Sequence, residues 1–163
     1  MTKEAIFEKD IANKKMTVRR TFDANLPLVW DAWTKAEILD QWWAPKPFKA
    51  ETKTMDFREG GFWHYCMVGP EGEQHWCRAD YKTVDSEKSF SYIDAFCDEN
   101  GTPTDFPKMH WLNTFNEGDG ETTVNINITF ESEEAMDKII AMGFKEGFTA
   151  GMDNLDEVLA SLK

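Results

Sequence analysis

The sequence predicts an α+β protein in which an antiparallel meander runs into a long C-terminal helix, with two short helices between the first strand and the rest. Three features carry that prediction. Residues 48–130 alternate with period two and are punctuated by turn residues, large apolar residues recur at helical steps near the C-terminus, and helix-start signals stand at Asn25 and Thr34.

Residues 17–22 are rich in β-branched and apolar side chains and read as a strand, preceded by an extended piece over 6–12 and a turn at Asn13-Lys14-Lys15. Pro27 follows Asn25 where the first turn of a helix accepts it, and Leu26, Val29, Trp30 and Trp33 fall at helical spacing. Thr34 and Glu37 fit a capping box, so a second short helix should start there, bury Ile38, Leu39 and Trp42, and stop before Pro45 and Pro47. Turns are expected at Gly60-Gly61, Gly69-Pro70-Glu71-Gly72, Asp85-Ser86-Glu87, Asn100-Gly101 and Glu117-Gly118-Asp119-Gly120. The clearest strand is 122–130, where Val124, Ile126, Ile128 and Phe130 alternate with Asn125, Asn127 and Thr129, giving one face to a core and the other to water.

Helix returns after Ser132, with Glu133, Glu134 and Asp137 placed to complement the dipole at its N-terminus. Phe148, Met152, Leu155, Leu159 and Leu162 then recur at steps of four, three, four and three, which predicts the face that lies on the sheet. Gly143, Gly147 and Gly151 are spaced four apart, and inside a helix each costs about 1 kcal/mol relative to Ala. A break near Gly143, close approach to the sheet, or room for a ligand would each account for them.

The 163 residues carry 18 Lys plus Arg against 30 Asp plus Glu, a formal net charge of −12. Phosphate backbones and anionic lipid surfaces are bound by clustered cations, so neither nucleic acid nor membrane is an expected partner. There is no run of 18 apolar residues, and residues 1–10 alternate charge with single hydrophobes instead of forming an apolar signal core. A soluble, cytoplasmic protein is expected. Cys66, Cys77 and Cys97 are odd in number and lack a framework spacing, which predicts free thiols in a reducing compartment. With no linker, repeat or low-complexity tract, and 41% hydrophobic residues, the chain reads as a single domain over 1–163 that can build a core without metal or disulfide staples.

Several motifs carry a resemblance: Val29-Trp30-Asp31-Ala32-Trp33-Thr34, Gln41-Trp42-Trp43-Ala44-Pro45-Lys46-Pro47-Phe48 and Asp56-Phe57-Arg58-Glu59-Gly60-Gly61. To these add Gly69-Pro70-Glu71-Gly72, Asp94-Ala95-Phe96-Cys97-Asp98-Glu99-Asn100-Gly101, and Met142-Gly143-Phe144 with Glu146-Gly147-Phe148. Over nearly its whole length the chain resembles the START-like SRPBCC superfamily, in the polyketide-cyclase-like branch named after the activator of the heat-shock-protein ATPase. Glu59 stands where that signature usually has Pro. The resemblance implies a helix-grip (START-like, or birch-pollen-allergen-like) fold, in which a curved antiparallel sheet wraps around the last helix. Relatives with this fold bind lipids, hormones and polyketides, cyclise or isomerise them, or assist a chaperone, and fold alone does not choose among these. The resemblance leads one to expect a large additional N-terminal domain in a full activator, and none is read in these 163 residues, so the activator name is expected to reflect ancestry.

A helix gripped by a sheet leaves space whose lining decides between core and pocket. Taking Val68 opposite Glu73 across the Gly69–Gly72 turn puts Trp63, Tyr65 and Met67 on one face with Gln74, Trp76 and Arg78. Tyr92, Asp94 and Phe96 from the next strand, Trp33 and Trp42 or Trp43 from the helices, and Phe148 and Met152 from the last helix complete an aromatic chamber suited to a flat or polycyclic ligand. The ligand-binding candidates are therefore Trp33, Trp43, Trp63, Tyr65, Trp76, Arg78, Tyr92, Asp94, Phe96, Phe148 and Met152. Asp94 buried without a cation would have a raised pKa and the makings of a general acid or base; His110 is the other catalytic candidate.

The same register sets His64 across from Cys77 and Cys66 across from His75 on the opposite face. Such a Cys2His2 set suits zinc, yet structural zinc sites use tight knuckles, and a one-residue change of register scatters all four. No metal and no cofactor is expected, and the apolar face of Phe62, His64, Cys66 and Val68 reads first as a covered surface or a homodimer contact. The chain has no GxSxG, HExxH, GxxxxGK[ST] or GxGxxG. Three readings follow: a binder of an apolar or aromatic small molecule, a cofactor-independent cyclase or isomerase using a pocket carboxylate or His, or a protein-interaction module with a closed cavity, acting as a homodimer or chaperone partner.

Overall fold

The computed structural model describes residues 4–163; residues 1–3 of the segment read as lacking a signal core lie outside the described residues. Two strands, β1 (Ile6–Asp10) and β2 (Lys15–Phe22), precede the short helices α1 (Leu26–Thr34) and α2 (Ala36–Trp42). Six more strands follow: β3 (Lys49–Met55), β4 (Phe62–Val68), β5 (Gln74–Asp85), β6 (Ser89–Phe96), β7 (Met109–Gly118) and β8 (Glu121–Phe130). Helices α3 (Glu133–Ala141) and α4 (Phe144–Leu162) end the chain. The eight strands form one curved antiparallel sheet in the order β1-β2-β8-β7-β6-β5-β4-β3, with α4 held against its concave side, which is the helix-grip arrangement.

Helix starts follow local chemistry. Asn25 accepts the Leu28 N–H at 3.2 Å and Ser132 accepts the Ala135 N–H at 3.0 Å, each satisfying an orphan donor of a first turn. The Thr34 capping box does not form. The Thr34 hydroxyl donates to the Trp30 carbonyl at 2.8 Å, bonding back into α1, and α2 is capped by Lys35 without a side-chain bond.

Alternation sets the core face: Val124, Ile126, Ile128 and Phe130 are buried on β8 and meet Phe148, Met152, Leu155 and Leu159 of α4 in one cluster. Burying each such side chain contributes about 1.5–3 kcal/mol. The stripe ends one residue early, since Leu162 is exposed on the final turn. The three glycines divide the explanations between them. Gly143 breaks α3 from α4 with φ 88°, a left-handed conformation that glycine adopts freely. A Cβ on Gly151 would lie 3.2 Å from the carbonyl oxygens of Trp42 and Trp43, so α4 passes close to the end of α2, not the sheet. Gly147 has only Pro45 nearby, at 3.8 Å, and faces open space.

The β4–β5 hairpin corrects the expected register by one residue. Val68 pairs with Gln74, not Glu73. Glu73 is drawn into the turn: its carbonyl accepts the Gly69 N–H at 2.8 Å and its carboxylate accepts the Glu71 N–H at 2.9 Å. Because side chains alternate, that slip exchanges the faces of β5 relative to β4. Trp63, Tyr65 and Met67 now share the concave side with His75, Cys77 and Ala79. Trp76 and Arg78 go to the convex side with His64 and Cys66.

Candidate functional site

The seam between sheet and α4 does not close along its whole length. Near the start of α4 it leaves a partly open cavity of about 200 Å³. Trp43 and Pro45, just past α2, form one side. Tyr65 and Met67 of β4, Cys77 of β5, and Asp94, Ala95 and Phe96 of β6 form the floor with Met109 and Trp111 of β7. Phe144, Gly147 and Phe148 of α4 form the roof, and Pro107 completes the rim. Gly147 matters because its missing side chain leaves the helix backbone as the wall.

Five of the candidate ligand-binding residues, Trp43, Tyr65, Asp94, Phe96 and Phe148, line this space. Trp33, Trp63, Tyr92 and Met152 are buried behind it and hold its walls. Trp63 stacks on Tyr65 at 3.9 Å between ring centroids, Tyr92 on Trp111 at 5.5 Å, and Trp33 meets Trp43 edge-on at 6.1 Å. Trp43, Trp111 and Phe148 pack against one another at 5.4–6.0 Å. Tilted and edge-to-face rings of this kind gain beyond their buried area.

Trp76 and Arg78 are not part of it. Arg78 lies on the convex side, donates to Asp80 at 3.0 Å, and covers the Phe62 ring at 4.3 Å. His110 is exposed on the convex side of β7, opposite Ile93. The register that moves Trp76 also separates the Cys2His2 set, because His64 and Cys66 face one way and His75 and Cys77 the other. No group of three or more His, Cys, Asp or Glu among the described residues is placed to hold a metal. Part of the apolar outer face is covered by the chain itself: His64 is hydrogen-bonded to the Asp98 carbonyl at 3.2 Å, and Lys53 donates to the Glu99 carbonyl at 2.9 Å. The three cysteines are free and buried.

Three polar side chains of the cavity are connected, while the Trp111 indole N–H has no hydrogen-bond partner. The Trp43 indole N–H donates to the Tyr65 hydroxyl at 2.9 Å, and Tyr65 is hydrogen-bonded to the Cys77 sulfur. Burial holds the Tyr65 phenol and the Cys77 thiol well above their ordinary pKa values, so both are neutral at pH 7. Asp94 differs. Burial pushes its carboxyl up to about 7, opposed only by the Ala95 backbone N–H, and no Lys, Arg or His among the described residues forms an ion pair with it. The site therefore combines an apolar, ring-walled hollow with one acid that changes charge near neutrality.

Sequence reading missed Cys77, Met109, Trp111, Phe144 and the rim prolines as lining residues. Trp111 was recoverable, because it alternates with Met109 and Asn113 on the buried side of β7. No helix among the described residues is long and apolar enough to cross a membrane.

Solved structures of similar proteins share the fold. A protein from Arthrobacter aurescens, solved in solution, is 30% identical with TM-score 0.90, over 96% of this chain and 91% of its own. Protein Ms6760 from Mycobacterium smegmatis, a crystal structure, is 31% identical with TM-score 0.87, over 94% of this chain and 95% of its own. CalU16 from Micromonospora echinospora shares the fold at 15% identity and TM-score 0.63, over 98% of this chain and 87% of its own. No curated protein matches the chain. The family described as Activator of Hsp90 ATPase homolog 1-like protein matches residues 23–160, and the chain belongs to that family, within the START-like SRPBCC fold.

Proposed function

We propose that this protein binds a small apolar or aromatic molecule in the cavity between the sheet and α4. The observation that supports it most is the hollow itself: about 200 Å³ left unfilled beside Gly147 in an otherwise close-packed aromatic core. An apolar cavity of about 150 Å³ is enough to take up benzene, whereas drug-sized ligands occupy roughly 300–1,000 Å³. The ligand class is thus narrowed from polycyclic molecules to those of one or two rings.

Thermal unfolding with a panel of neutral one- and two-ring aromatics tests the reading. A ligand with a dissociation constant of about 0.1 mM, supplied at about 1 mM, stabilises the native state by about 1.4 kcal/mol, a rise of roughly 3–6 °C for a domain of this size. Gly147→Leu, which fills the hollow from the roof, should remove that rise while the protein stays folded. No stabilisation by any member, with crystals soaked in the same compounds showing the cavity vacant, would refute it.

One observation favours a second reading, a cofactor-independent isomerase or cyclase: Asp94 has the near-neutral pKa that general acid–base chemistry uses. In that case Asp94→Asn abolishes turnover of a neutral carbonyl substrate while leaving its affinity within severalfold.

A further inference from the structure

We propose that the cavity selects a protonated amine, a small organic cation whose apolar body lies against the indole and phenyl walls and whose ammonium group meets the Asp94 carboxylate. The inference rests on the small-molecule reading above and adds the charge of the ligand to it.

Asp94 sits in the cavity wall without a counter-charge. Arg78, the basic residue of the neighbouring strand that pairs with Ala95, is on the other side of the sheet with Asp80. The titratable groups close enough to influence Asp94, or be influenced by it, are Tyr65 on β4, Cys77 on β5, Tyr92 on β6 itself and Cys97 just beyond it. None is cationic. From the remaining elements the neighbours in the wall are Met109 and Trp111 of β7 and Phe144 and Phe148 of α4, which carry no charge. A ligand anion would meet an acid with nothing to offset it, and a hydrocarbon would leave the carboxyl desolvated and unpaired.

A cation satisfies both halves of the wall. Aromatic rings such as those of Trp43, Trp111 and Phe148 in the lining carry negative quadrupole density on their faces, which attracts an ammonium group within about 6 Å of a ring centroid. The −12 net charge of the chain raises the local concentration of cations further.

Ionisation of Asp94 then links binding to pH. With the carboxyl titrating near 7, an ammonium ligand prefers the ionised form, so affinity climbs as pH rises from 6 to 8 and levels off above. A neutral hydrogen-bond acceptor prefers the protonated form and shows the opposite slope.

Isothermal titration of the full chain with 2-phenylethylamine, 2-phenylethanol, propylbenzene and 3-phenylpropanoate at pH 6, 7 and 8 separates the cases. The amine is expected to bind at least tenfold tighter than the alcohol at pH 8 and about tenfold weaker at pH 6 than at pH 8, as ionisation of a group near pH 7 dictates. The carboxylate should not bind. Asp94→Asn should bring the amine within about threefold of the alcohol. Amine affinity no greater than that of the alcohol, or a preference that survives Asp94→Asn, overturns the assignment of charge but leaves the small-molecule reading standing if propylbenzene binds. If none of the four probes binds, both fall.

Discussion

The two halves of α4 meet the same sheet in different ways. In the C-terminal half, Met152, Leu155 and Leu159 are buried, and the charge brought into the seam by Arg20 of β2 meets two carboxylates through one terminal nitrogen, while its Nε and other terminal nitrogen have no hydrogen-bond partner. Its guanidinium donates to Asp156 at 2.6 Å and contacts Asp153 at 2.9 Å. In the N-terminal half, which starts at the break at Gly143, Gly147 puts no side chain into the seam, and the acid there, Asp94, has no counter-charge. Where the buried cation has its counter-charges there is no room, and where there is room the acid has no counter-charge. A fold needs only the first arrangement. The second has a cost, and in a seam otherwise well filled that cost supports the proposed binding site.

The largest effect should come from stripping the acids from the closed half. Asp153→Ala with Asp156→Ala strands the Arg20 guanidinium, whose side chain is 1% exposed, and is expected to lower stability by about 3–5 kcal/mol in chemical denaturation. Arg20→Met removes the charge instead and leaves two acids that can reach water, so it should fall within about 1 kcal/mol of the parent. Equal losses from the two would show that packing, not charge, governs this end.

The open half should respond in the reverse sense. The folded chain holds the Asp94 proton up to about pH 7, whereas the unfolded chain releases it near 3.8. Between those values the native state binds more protons than the unfolded state, so stability falls as pH rises through the window and stays low above it. Asp94→Asn is therefore expected to stabilise the protein by about 2–4 kcal/mol at pH 8 and by nearly nothing at pH 4, read from thermal unfolding at the two values. A destabilised variant at pH 8 would mean that Asp94 has a partner in the native state.

Smaller effects separate the two helical glycines. Gly151→Ala gains helix propensity but pushes a methyl against two backbone carbonyls at 3.2 Å, for an expected net loss of about 1–2 kcal/mol. Gly147→Ala meets only Pro45 at ordinary contact distance and should gain up to about 1 kcal/mol, while narrowing the cavity and weakening one-ring ligands severalfold. Denaturant midpoints paired with ligand titrations check both.

Element order and the core face were legible because alternation on β8 and the Phe148–Leu159 stripe report burial directly. The hairpin register was not. Whether Glu73 pairs across the strand or folds into its own turn depends on a carboxylate bonding to a nearby N–H, a choice that a strand pattern does not encode. That single residue decided the sides of Trp76, Arg78, His75 and Cys77. Asp94 was legible as an inward acid, since β6 alternates cleanly through Tyr92, Asp94 and Phe96. The boundary between rings that line the hollow and rings that back it, Trp43 against Trp63 for instance, is set by packing at the scale of one ring thickness, below what sequence spacing resolves.

An acid without a counter-charge lines the cavity proposed to take a cation, and the carboxyl carbon of Asp94 reports on both. Its 13C chemical shift, followed against pH in the free protein and again with saturating 2-phenylethylamine, should titrate near 7 in the first case and clearly lower in the second. A free-protein midpoint near 4, or one that the amine leaves unmoved, would contradict that proposal.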